Sequence, residues 1–347
     1  MLKSLLLGSV NRAVKPFPSV QQTLAGWKTN VKRWAKLRYF ASDVIHAKRF
    51  MFWSERDPSY AKLSSELLFQ FHKLEKGLCI PGTKRYFGRD PLVATCQLVE
   101  RWQAHGFSMQ DPVFIGAIEA LRAYRTRLEA TPANAEDAPL IQRLLNSCLS
   151  HTTEAPQFST PHAYRRTEDA ADVFDRLCRD RRSVRSYSST AVPLPLLQEA
   201  IATAQLSPSA CNRQPCRVHV YRDAAQIKQM LSLQNGNSGF GHLLSTLLVI
   251  CADSRSFFDA SERHEPHVDG GLFAMSLILA LQARGLASCC LNWCVAPEVD
   301  AEAHVRGELP EHDQVIMYLA VGYASPDALV PRSARRDVGS IMTIHGA

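Results

Sequence analysis

The chain has 347 residues, 46% of them hydrophobic and 21% charged, with a formal net charge of +7; this is the composition of a globular protein and excludes long disorder. From Met1 to Arg56 eleven basic residues face only Asp43 and Glu55, a local charge of +9 that leaves −2 for all that follows. The body of the protein therefore has no electrostatic footprint for nucleic acid, which is excluded as a partner, and the length suits two domains or one large domain with an extension.

Met1 to Ser42 contains no acidic residue. A short apolar patch, Leu2, Leu5, Leu6, Leu7 and Val10, precedes Pro16 and Pro18, which interrupt a helix. Trp27, Val31, Trp34 and Leu37 then recur at helical spacing, while Lys28, Lys32, Arg33 and Lys36 take the other faces. That pattern suits peripheral contact with an anionic membrane surface and, equally, packing on the protein's own body; a transit peptide is a third and weaker reading, because the segment is long and tryptophan-rich. Ala41 to Phe71 reads as further helix broken near Pro58, and the helical pattern ends at Gly77. His72 and Glu75, three apart, suit a cap or a surface ion pair better than a metal site. Pro81 to Pro91 reads as a loop, and Leu92 to Trp102 and Pro112 to Leu128 as helices. Residues 1–150 are thus a basic, mostly helical extension with no catalytic signature. Residues 151–167, beyond a short helical piece at Leu140 to Leu149, read as a linker to a domain over 168–347.

That domain opens on Arg181, Arg182, Ser183 and Arg185, three guanidinium groups and a hydroxyl that can converge on one phosphate, because arginine forks match its geometry and keep their charge. Pro193 to Leu206 reads as a helix ending in the loop Ser207 to Pro215. Prolines stiffen this loop, small residues let a flat ligand approach main-chain N–H groups, and the Asn212 and Gln214 amides suit a heterocycle edge. Arg217 to Tyr221, Leu247 to Ala252 and Val315 to Val321 are strand candidates, and Ala224 to Leu233 a helix. Asp269, Gly270 and Gly271 open a helix to Ala283 that is apolar all round and therefore reads as buried on all sides, in the core or at a subunit interface. His264, His267 and Asp269 read as capping and surface residues. A turn at Gly322 and Tyr323 leads to Arg332, Arg335 and Arg336, a second basic cluster able to close on the same anion. No apolar window reaches the ~20 residues of a spanning helix. The ten cysteines include no CxxC pair and read as thiols of a reducing compartment, with no metal site, so the protein is expected in the cytoplasm, free or peripheral to a membrane.

With these elements in place, the chain from about Glu168 onward resembles the nitroreductase family of FMN-dependent oxidoreductases. RRSVRSY is similar to the family's phosphate-binding opening and SPSACNRQP to its flavin-edge loop. DGGLFAMSLILALQARGLASCCLNW resembles the central helix and the segment beside the flavin ring, and LAVGYASPDALVPRSARRDVGSIM the closing strand and basic tail. Cys216, Ala287 and Ser333 depart from the family's common tryptophan, glycine and lysine. The resemblance implies an α+β fold, a mostly antiparallel sheet wrapped by helices, in an intertwined homodimer. It implies that Arg181, Arg182, Ser183 and Arg185 hold the FMN phosphate and ribityl chain, with Arg335 returning to the phosphate. Pro208, Ser209 and Ala210 would lie by the ring, Asn212 and Gln214 would support the loop or the flavin edge, and Cys289, Cys290 and Leu291 would offer backbone groups near the reactive centre. The implied activity is electron transfer from NADH or NADPH through FMN to a small organic acceptor, with no catalytic acid or base named in the protein. Two alternatives stand beside it: a flavin enzyme that oxidises, dehalogenates or desaturates a dedicated substrate, and a non-catalytic flavin- or partner-binding module.

Overall fold

The computed structural model describes residues 18–53, 59–81, 88–130, 138–149 and 160–346. The apolar patch of Leu2 to Val10, most of the Pro81 to Pro91 loop and residues 151–159 lie outside the described residues. By compactness the chain falls into two units, Met1–Arg49 and Phe50–Ala347, so the helices between 60 and 149 share a unit with the domain read over 168–347.

The first unit contains α1 (Pro18–Lys36) and most of α2 (Arg38–Phe50). Pro18 opens α1 rather than interrupting it, because the first position of a helix has no intrahelical use for an N–H. Neither helix buries a described residue.

In the second unit, α3 (Tyr60–Cys79), α4 (Arg89–Ala104), α5 (Pro112–Glu129) and α6 (Ala138–Leu149) form a bundle around Leu63, Leu67, Leu74, Trp102, Phe114 and Leu121. The buried Trp102 satisfies its indole by donating to Ser108 O at 3.1 Å. Asp111 caps α5 by accepting from Val113 N at 2.8 Å, with Pro112 as the first helical residue. Helix α3 runs two residues past Gly77, where the sequence placed its end. Its stop is set by Pro81, since the residue before a proline is driven out of the helical region, and Ile80 is extended at φ −74°, ψ 130°.

Beyond α7 (Ala170–Asp180) and α8 (Leu194–Ala204), the strands β1 (Cys216–Tyr221), β2 (Thr246–Asp253), β3 (Ala287–Asn292) and β4 (Asp313–Gly322) form an antiparallel sheet in the order β1-β2-β4-β3. Every residue of β2 is buried, as befits a central strand covered on both faces. One face, with Leu248, Ile250, Leu319 and Val321, packs on α8 and on α10 (Glu265–Ala283). The other, with Leu247, Val249, Tyr318 and Ala320, meets α9 (Ala224–Leu231) and α11 (Pro297–Gly307). The fold is the α+β arrangement read from the sequence, with a helical region ahead of it.

Two expectations are corrected. Helix α10 opens at Glu265, with Pro266 as its first-turn proline, so Asp269 is a buried residue of the second turn and not a cap or a surface group. In the single chain one face of this helix, with Val268, Leu272 and Met275, is exposed at 50%, 44% and 45%. Gly322 and Tyr323 make no turn. The chain stays extended, Ser188 N donates to Tyr323 O at 2.9 Å, and Tyr187 bridges to Ala324. A Cβ on Gly322 would lie 2.8 Å from the Tyr187 ring, so this close approach requires glycine.

Candidate functional site

The basic stretch is fastened to the start of β3. Ser183 pairs with Ser288, Val184 N donates to Ser288 O at 3.1 Å, and the Tyr187 hydroxyl donates back to Val184 O at 2.8 Å. This brings Arg181, Ser183 and Arg185 to Cys289 and Cys290. Burial pushes the Cys289 thiol up, opposed by Arg185 and by a hydrogen bond with Ser183; burial and the Cys289 charge push Cys290 up, opposed by Arg181. Arg182 donates to Arg181 O and the exposed Arg185 to Ser183 O. Among the described residues no carboxylate pairs with Arg181, Arg182 or Arg185. Three guanidinium groups without a counter-charge, beside a hydroxyl, form a site that favours an anion. Arg185, Cys290 and Leu291 line an open cavity of about 500 Å³ together with His267, Trp293 and Met317. That is within the range of small-molecule sites; of the four predicted phosphate-holding residues Arg185 is in its lining and Arg181, Arg182 and Ser183 are not, and the donor set has the chemistry that suits the phosphate end of FMN. Arg335 is exposed and donates to Ser333 O of its own tail at 2.7 Å.

Pro208, Ser209 and Gln214 line a different cavity, of about 200 Å³, closed on one side by Tyr60, Ser64 and Leu68 of α3. The single chain therefore divides the predicted cofactor residues between two surfaces. Their loop holds an unusual backbone: Cys211, Asn212 and Gln214 have φ of 50°, 55° and 52°, a left-handed region that costs a non-glycine residue about 1–2 kcal/mol. Side chains around the loop compensate. Both Asp269 carboxylate oxygens accept from Ala210 N at 3.1 Å, Ser209 Oγ accepts from Gln214 N at 3.0 Å, and Gln214 Nε2 donates to Asn212 O at 3.3 Å. Cys216, at the family's tryptophan position, donates its thiol to Asp269 O at 3.6 Å and is pushed up to about 12 by burial.

The residue that secures the loop was not singled out from the sequence. Arg213 is 2% exposed. Its Nε donates to Ala210 O at 2.9 Å and its two terminal nitrogens to Glu262 at 2.8 and 2.5 Å. Four rings surround its guanidinium, with centroids 5.9 Å (Trp53), 5.5 Å (Phe69), 5.1 Å (Phe257) and 5.9 Å (Phe258) away, all within cation–π range. Trp53 also donates its indole N–H to Arg255 O at 2.8 Å. Trp53 and Phe69 lie before residue 150, so the helical region contributes directly to the setting of the flavin-edge loop. An arginine inside a loop and aromatics 140 residues earlier carry no common spacing that a sequence reading can detect.

Asp269, which the sequence suggests as a capping or surface residue, is buried beside the loop. Burial raises its carboxyl to about 6, against the opposing hydrogen bond from Ala210 N. Two groups of metal-ligand types also meet at Asp313, one with His219 and Cys251 and one with Asp253 and His312. Within them His219 Nε2 lies 2.9 Å from Asp313 Oδ2, and Asp253 accepts three N–H groups of Arg255. Burial alone would raise Asp253, but those bonds hold it below the usual carboxylate range.

The nitroreductase family model matches residues 178–238 and 229–323. An iodotyrosine dehalogenase 1 homolog of Caenorhabditis elegans is 28% identical over 206 residues, covering 50% of this chain and 62% of that protein. Nitroreductase NfnB of Mycolicibacterium smegmatis is 26% identical over 211 residues, covering 47% of this chain and 88% of that protein. A solved FMN-dependent nitroreductase of Clostridium difficile superimposes with a TM-score of 0.40 at 19% identity, over 45% of this chain and 90% of that one.

Two outcomes follow from the geometry around the loop. Arg213→Ala strands the Glu262 carboxylate in its aromatic surroundings and lowers stability by about 3–5 kcal/mol in urea titration, whereas Arg213→Ala with Glu262→Ala costs less than the sum of the single changes. Because the Asp269 carboxyl is raised in the folded chain, its contribution is fully present below about pH 4 and is lost as pH rises through about 6. Asp269→Asn, which keeps an acceptor for Ala210 N, removes about 2 kcal/mol of that pH dependence between pH 4 and 7, measured by urea titration across the range.

Proposed function

We propose, from the premise that the C-terminal half of this chain is a nitroreductase-family domain, that the protein is an FMN-dependent oxidoreductase passing electrons from NADH or NADPH to a small organic acceptor. The observation that carries this reading is the set of guanidinium groups at Arg181, Arg182 and Arg185, without a carboxylate partner among the described residues, beside Ser183, with Arg185 lining the open cavity that Cys290 and Leu291 also line. FMN would supply hydride acceptance and donation when bound. The chain's own part is to hold and orient. Arg181, Arg182, Ser183 and Arg185 bind the phosphate and ribityl end, and Cys289, Cys290 and Leu291 present backbone groups beside the ring. Pro208, Ser209 and Ala210 form the stiff wall opposite.

Since one chain carries those two walls on separate cavities, the complete site in this reading is shared by two copies, the loop of one facing the basic stretch of the other. The exposed stripe of Val268, Leu272 and Met275 on α10 supports such a homodimer, and so do Leu329, Val338, Ile341 and Ile344, which are 92%, 64%, 74% and 75% exposed along the closing tail. At Gly271 an added Cβ would meet nothing within 4 Å in the single chain, which leaves room for close approach of a second helix.

A dedicated dehalogenation is the second reading. It is favoured by relatives named as iodotyrosine dehalogenase or deiodinase, at 28% identity from Caenorhabditis elegans and 23% from Haliscomenobacter hydrossis. Turnover with a panel of nitroaromatic and haloaromatic acceptors, under air and under nitrogen, separates the two.

The purified full-length protein is expected to show a flavin absorbance spectrum, with FMN identified by mass at about one copy per chain. A colourless protein that does not bind added FMN overturns the proposal in favour of a binding module. Arg185→Ala should weaken FMN binding by about 10–100-fold in fluorescence titration, through loss of a charge-assisted contact. Met275→Glu places a charge in the proposed interface and should yield a monomer by analytical ultracentrifugation that has lost most of its flavin.

A further inference from the structure

We propose that the first compact unit docks the protein on a membrane surface bearing anionic lipid headgroups. In α1, Trp27, Val31 and Trp34 follow one another at spacings of four and three, which places them on one helix face, and they are 64%, 48% and 73% exposed. Leu37, Phe40 and Val44 continue the exposed apolar surface into α2 at 47%, 65% and 66%. Lys32, Arg33 and Lys36 take the other faces of the helix, all exposed, and among the described residues none has a carboxylate partner. Helix α1 contains no acidic residue and α2 only Asp43.

An apolar stripe with two tryptophans, on a helix whose other faces carry cations of one sign, matches the layered chemistry of a lipid interface. The indoles enter the boundary between headgroups and acyl chains, and the ammonium and guanidinium groups remain among anionic headgroups. No helix among the described residues is long and apolar enough to cross a membrane, so the contact is one of lying in the surface plane. Charge decides between lipid and a second copy of the chain. A second copy of this helix, which has no acidic residue, brings no counter-charge to Lys32, Arg33 and Lys36, whereas a leaflet of anionic lipid supplies it along the whole helix.

The test is flotation of the full-length protein with vesicles of phosphatidylcholine alone and of phosphatidylcholine with about 30% phosphatidylglycerol. The protein is expected to float with the anionic vesicles only, and to be released as salt rises to about 0.5 M. The triple change Lys32→Glu, Arg33→Glu, Lys36→Glu is expected to lower the partition coefficient by about 100-fold, from about fivefold per basic side chain near the surface. Trp27→Ser with Trp34→Ser is expected to lower it by at least about tenfold. All five side chains are exposed, so circular dichroism and any flavin spectrum should be those of the parent protein. Absence of flotation, equal flotation on neutral vesicles, or variants that bind as the parent does would each overturn the proposal. So would a fall in oligomeric mass on charge reversal, because that outcome assigns the face to a second copy. None of these readouts depends on flavin or on turnover.

Discussion

A single buried ion pair sets the geometry on which the rest of this protein depends. Arg213 and Glu262 meet in a bidentate contact inside a ring of four aromatic side chains, two of them from the region before residue 150 and two from beside Glu262 itself. A guanidinium this deep is tolerated because every direction of its charge is answered: a carboxylate in its plane, a main-chain oxygen at Nε, and ring faces around it. The same residue holds Ala210 O, and Ala210 N is held by Asp269. Three elements far apart in sequence therefore converge on one loop, and the left-handed backbone of that loop is stable because they do.

This convergence gives the helical region a structural purpose. Helices α3 to α5 have a core of their own around Trp102 and Leu67, yet α3 also closes the cavity beside Pro208 and Ser209. Tyr60 lies there with its hydroxyl donating to Asp111 at 2.8 Å, and burial followed by that carboxylate pushes its pKa up to about 12. The wall proposed to face the flavin ring is thus backed by a bundle that the nitroreductase family model, matched over 178–323 in this chain, does not reach.

The electrostatics of the two proposed walls differ in kind. Around Arg213, and around Asp253 and Asp313, charges are paired and buried, which stabilises a fixed geometry. Around Arg181, Arg182 and Arg185 no carboxylate partner lies among the described residues, which costs little where side chains are partly exposed and favours an anion. The first unit repeats the second pattern along a helix, with Lys32, Arg33 and Lys36 on the faces away from the exposed tryptophans.

Local chemistry explains what was legible in the sequence. Alternating and continuous apolar runs marked β1, β2 and β4, because strands that pack on helices must present those residues whatever their neighbours. Periodic leucines marked α3 to α5 for the same reason, and four ordered motifs marked the C-terminal half as nitroreductase-like. Strand β3, Ala287–Asn292, lacks β-branched residues and owes its conformation to pairing with β4. Helix α11 is too polar for its periodicity to stand out, although Pro297 opens it as a helix-starting proline should. The start of α10, the burial of Asp269, the exposure of the Val268, Leu272 and Met275 face, and the Arg213 cage were decided only by tertiary structure. Each depends on groups brought together from distant parts of the chain, and a linear spacing carries no information about which side chain will answer a buried charge.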